Sequence, residues 1–151
     1  MSGLLIALHV LAAVFWVGGM AFAYMILRPA AGPLEGPVRL TLWRNVFSRF
    51  LPAVGAGIVV LLVSGYVMLF RDFGGFARAP VYIHVMQGTG ILMMLLFLHL
   101  YFVPWQRFQK TVRASEWPVA GKHLAQIRRI VAVNLVLGVV TIVAASAGRY
   151  W

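Results

Sequence analysis

The chain has 151 residues and a formal net charge of +10, with 13 lysines and arginines against 3 acids. Hydrophobic residues make up 62% and charged residues 11%, and the mean hydropathy is +0.91; soluble domains carry about 25% charged residues, so a soluble globule, a disordered tail and a nucleic-acid module are excluded. The absence of cysteine excludes disulfides, thiolate metal sites and cysteine nucleophiles.

Four apolar blocks follow one another, at about residues 4–27, 51–70, 81–103 and 130–147. Each is ~18–24 residues long, enough at ~1.5 Å per residue to cross a ~30 Å hydrocarbon core. Lipid offers no partner for backbone N–H and C=O groups, so the blocks must be helices. The first block reads as a span and not as a cleaved leader, because it lacks a basic start and is too long for one. The expected fold is an all-α integral membrane bundle of four transmembrane helices, one membrane domain over residues 1–151.

The loops carry the charge. Between the first two blocks lie Arg28, Arg39, Arg44 and Arg49 against Glu35; between the last two lie Arg107, Lys110, Arg113, Lys122, Arg128 and Arg129 against Glu116. The positive-inside rule makes these two loops cytoplasmic and puts both termini outside, in the cell inner membrane. Within the first loop, Val38, Leu40, Leu42, Trp43, Val46, Phe47 and Phe50 fall on one side of a helical wheel and mainly polar residues on the other. This predicts an amphipathic helix lying in the headgroup layer, with Pro52 in the first turn of the next span. Trp105, Phe108 and Trp117 mark a further interfacial segment, and Pro118 starts an extension of the fourth span.

Polar residues inside spans are costly and are the first functional candidates. Serine and threonine can bond their own helix's carbonyls, which removes them from the candidate set. His9 lies about 8 Å and His84 about 5 Å below the outer boundary, at matching depth on different helices. His99 is roughly 22 Å further along than His84, and Asn134 falls near its level. Trp16 shares a helix face with His9, and Gly88 sits one turn below His84. Two imidazoles from facing helices beside small residues describe a slot for a b-type haem, with His9 and His84 as axial ligands. Arg71 and Arg78 lie at the outer edge, placed to pair with propionates, and His99 is a second-site alternative. Met86 is about 200° around its helix from His84, so the two do not share a slot. Met20, Met25, Met68, Met86, Met93 and Met94 read as packing, although thioethers also bind Cu(I). His123 reads as an ordinary residue of a basic loop.

The stretch Leu8-His9-Val10-Leu11-Ala12-Ala13-Val14-Phe15-Trp16-Val17-Gly18-Gly19 resembles the first helix of the copper-resistance D (CopD-like) membrane family. The same stretch, with Tyr82-Ile83-His84-Val85-Met86 and the later His99, also resembles the HemJ-type protoporphyrinogen oxidases. The HemJ resemblance implies a haem b protein, but Met86 stands where that pattern has lysine, which puts oxidase activity in question. The CopD resemblance implies copper uptake or tolerance. Three functions therefore stand: a haem b redox or electron-transfer protein, with a haem-dependent oxidoreductase acting on a quinone or porphyrin as its enzymatic form; a copper transport or resistance protein; and a non-catalytic membrane assembly subunit. The lipid bilayer is the first partner, and a thin four-helix bundle predicts a homodimer or larger membrane assembly.

Overall fold

The computed structural model describes residues 2–151. Six α-helices follow in chain order: α1 (Ser2–Phe22), α2 (Arg28–Ala31), α3 (Gly36–Asp72), α4 (Val81–Phe102), α5 (Pro104–Arg113) and α6 (Trp117–Ala147). A five-residue π-helical turn, Ala23–Leu27, joins α1 to α2 without a break. The result is four long antiparallel rods, each with a stretch long and apolar enough to cross a membrane. This is the four-span all-α bundle expected from composition. Both chain ends lie at one end of the bundle, and the basic connections lie at the other.

The rods are longer than the spans. α3 has 37 residues, about 55 Å at 1.5 Å per residue, and α6 has 31 residues, about 46 Å. The surplus lies at the basic end. The amphipathic segment 38–50 is helical, as its periodicity predicts, but it is the first third of α3 and not a separate helix in the headgroup layer. Its apolar face is covered by protein: Leu40, Trp43 and Phe47 are buried, and Phe47 meets the edge of Trp105 at a centroid distance of 6.0 Å. Pro52 is accordingly inside a continuous helix, where its missing N–H leaves the Ser48 carbonyl without its usual intrahelical donor.

Trp105 and Phe108 likewise sit in the core and not in the lipid interface. Both are buried on α5, which Pro104 starts after a break at Val103. α5 is strongly amphipathic and lays Trp105, Phe108 and Val112 against α6, where Ala120 and Ile127 are fully covered. Trp117 is half-buried against this cluster, and Pro118 opens α6 as expected. The best-packed part of the molecule is thus this basic helical cap, because its water-facing apolar surface has a hydrophobic driving force that lipid-facing surface lacks.

In the apolar part, α1 packs on α3 and α4 packs on α6. Small residues set the approach. The Phe50 ring lies on Gly19, and at Gly138 an added Cβ would stand 2.8 Å from Val17 Cγ2 and 3.3 Å from Met93 Cε. At the terminal end, α3 turns back through Gly74 (φ +70) and Gly75 (φ +107), a conformation that glycine reaches without a Cβ penalty.

Candidate functional site: a polar belt near the terminal end

Six polar side chains of the apolar region gather near one level. Ser64 lies 8 residues before Asp72 at the end of α3, and Thr89 lies 8 residues after Val81 at the start of α4. Both are about 12 Å along their helices from the terminal end. His9, Tyr66, Gln87 and Thr141 lie within about one turn of that level. The belt joins helices in pairs: His9 of α1 to Ser64 of α3 at 2.8 Å, Gln87 of α4 to Tyr66 of α3 at 2.5 Å, and Thr89 of α4 to Thr141 of α6 at 2.6 Å. Hydrogen bonds of this kind hold spans together where no hydrophobic force acts between them.

Ser64 is buried, and its hydroxyl lies 2.5 Å from the Val60 carbonyl and 2.8 Å from His9 Nδ1. With its one hydrogen on Val60, its oxygen accepts from the His9 tautomer that is protonated at Nδ1. In that tautomer Nε2 is the nitrogen with a lone pair for a ligand. A metal-binding imidazole is commonly oriented in this way, by a hydrogen bond from its other nitrogen. The His9 ring lies against α3 because Gly65 leaves room: an added Cβ there would sit 3.2 Å from His9 Cε1.

The other expected residues fall elsewhere. His84 is exposed on α4, with its ring 6.4 Å from that of Phe76. His99 is also exposed on α4. Gly88 is exposed, and nothing stands within 4 Å of the Cβ position. Trp16 is buried and meets Phe97 edge-on at 6.2 Å, so it is a core residue. Arg71 and Arg78 are exposed at the terminal end, with the Arg78 chain folded over Gly74. Asn134 lies level with Met93 and not with His99, for its amide donates to the Met93 carbonyl at 3.2 Å.

Within one copy no contact brings His9 and His84 together among the described residues. His9 is turned onto α3, and His84 is exposed on α4. A half-open cavity of about 40 Å³ and a shallower, more open one of about 470 Å³ lie at the basic end, and neither is lined by His9 or His84. Among the described residues no group of three or more histidines and acids is placed to hold a metal ion. The donors that remain are His9 Nε2 and thioethers. Met68 follows Ser64 by one turn on the face of α3 that carries Ser64 and Gly65.

Three features escaped the sequence. Ser64 was removed from the candidates because it can bond its own helix; it does so and also accepts from His9, which only an interhelical contact reveals. Arg44 Nε, His123 Nδ1 and Asn134 Oδ1 are buried with no hydrogen-bond partner among the described residues. The π turn at Ala23–Leu27 leaves no mark in the hydropathy pattern.

The family profile for copper resistance protein D matches residues 44–147. An uncharacterized protein of Aquifex aeolicus (strain VF5) is 30% identical over 141 residues, covering 92% of this chain and 94% of its own length. No solved structure matches the chain.

Proposed function

The chain belongs to the copper resistance protein D family, and from that premise we propose that it binds copper ions within the membrane and moves them through the bundle. Copper is the cargo. The observation that carries the reading is the His9 imidazole bonded through Nδ1 to Ser64 in the polar belt, an orientation that suits Nε2 to a soft or borderline cation. Cu(I) accepts imidazole and thioether ligands without needing a carboxylate, and every acid of this chain lies outside the apolar blocks. Met68 offers a thioether one turn from Ser64 on the same face of α3. The basic end faces the cytoplasm of a cell inner membrane and both termini face outward, a reading that the positive-inside charge distribution supports. A second copy completes the assembly on faces such as that of α4, where His84 and His99 are exposed.

A haem b redox role acting on a quinone or porphyrin has only the His9 orientation in its favour. The exposure of His84 weighs against it.

The deciding experiment is a Cu(I) competition titration on the purified protein in detergent, with an optical spectrum taken first. Stoichiometric Cu(I) binding that His9→Ala abolishes is the expected result. Full copper binding by His9→Ala, or a Soret band in the protein as isolated, would overturn the reading.

A further inference from the structure

At the basic end a second site is built from different chemistry. The cavity of about 40 Å³ lies where α1 leaves the apolar region, between the π turn, α3 and α6; its walls include Tyr24, Arg28, Trp43, Phe47 and Arg128. We propose that this cavity binds a phosphate group, presented at the membrane surface by an anionic lipid headgroup or as the free ion.

Charge is the first argument. Two exposed arginines, from different helices, are among the residues that line one mainly apolar cavity, and no carboxylate lines it. With 13 basic residues against 3 acids, the chain has few internal counterions to offer. Like charges brought together next to apolar walls repel one another, and an anion between them reverses the sign of the interaction. The guanidinium fork matches phosphate oxygens in a bidentate manner.

Local structure gives the second argument. Arg28 lies over the Tyr24 ring, 5.0 Å from its centroid, which orders its head group before any ligand arrives. Both residues stand on or next to the π turn, where the Arg28 N–H reaches back to the Ala23 carbonyl. A π turn is less favourable than regular helix and recurs at functional sites. Here it lies in the only departure from α geometry along the first rod among the described residues.

Size and position agree. A water needs roughly 10–15 Å³ of such space, so the cavity admits about three water-sized groups, the scale of phosphate oxygens. Tyr24 beside basic residues at the end of a span is the composition of a headgroup-level site. Basic pockets between spans are known to take anionic headgroups.

The test uses the intact protein in detergent and native mass spectrometry. Phosphatidylglycerol and phosphatidylcholine are added in parallel, and inorganic phosphate is titrated separately by thermal shift. The expected result is one or two tightly retained phosphatidylglycerols per chain, at least tenfold preferred over phosphatidylcholine, or saturable stabilisation by inorganic phosphate alone. The first outcome identifies the lipid as the source and the second the free ion. Arg28→Gln/Arg128→Gln should lose the binding at least tenfold, and Arg28→Lys/Arg128→Lys, which keeps charge and packing, should lose part of it. Arg107→Gln/Arg113→Gln removes the same charge elsewhere on the basic end and should leave it intact. Equal loss in that control pair would show bulk attraction and overturn the proposal, as would unchanged binding in both the glutamine and the lysine pairs.

Discussion

Ser64→Ala isolates the device that readies His9. With the Ser64 hydroxyl hydrogen on Val60, its oxygen accepts the Nδ1–H of His9 at 2.8 Å. Alanine removes the acceptor and leaves the Val60 carbonyl with its ordinary intrahelical donor. The loss therefore falls on His9. Leaving a donor unsatisfied costs about 1–3 kcal/mol, and the half-buried ring places this case at the lower end. A loss of about 1–1.4 kcal/mol in holding the ligand-ready ring corresponds to about five- to tenfold weaker Cu(I) binding, near the low end of what outer partners of metal-binding histidines contribute. Ser64→Thr retains a hydroxyl and should recover most of the affinity. The assay is Cu(I) competition, read beside the ¹⁵N shifts of His9, which report which nitrogen carries the proton. Unchanged affinity together with unchanged ¹⁵N shifts in Ser64→Ala would refute the reasoning.

Other perturbations test the packing and the topology. Gly138→Ala puts a Cβ 2.8 Å from Val17 Cγ2 and should destabilise the bundle by about 1–3 kcal/mol, whereas Gly88→Ala, with open space around it, should be neutral or slightly stabilising; equal thermal stabilities in detergent would contradict the α1–α6 contact. Phe108→Ala, at 0% exposure, should cost about 3–5 kcal/mol in chemical denaturation, and Phe102→Ala, at 66%, much less. If the two cost the same, the basic end is not a packed core. For orientation, the natural absence of cysteine gives a clean background: Ala114→Cys should resist an impermeant reagent added outside cells and Ala77→Cys should react, and the reverse labelling would invert the topology.

The sequence by itself determined the number of spans and the end that gathers positive charge. Both follow from one-dimensional quantities, the length of an apolar block and the position of arginines between blocks. It also determined that residues 38–50 are helical, because 3.6-residue periodicity is a local property. Which surface covers that helix is not local. An apolar stripe reads the same whether lipid or protein lies against it, and only the packing of Phe47 on Trp105 assigned it to a core. The candidate site divides in the same way. His9 was legible, since a histidine in a span is conspicuous. Its partner was not, because Ser64 in sequence is one more residue able to bond its own helix. Matching depth made His84 the natural companion, but depth fixes only position along a helix. Rotation about the axis is set by neighbours, and in helices apolar on every face the hydropathy pattern carries almost no record of it. The tertiary structure supplied that rotation: it turned His9 onto α3, left His84 exposed, and brought two arginines distant in sequence to one cavity.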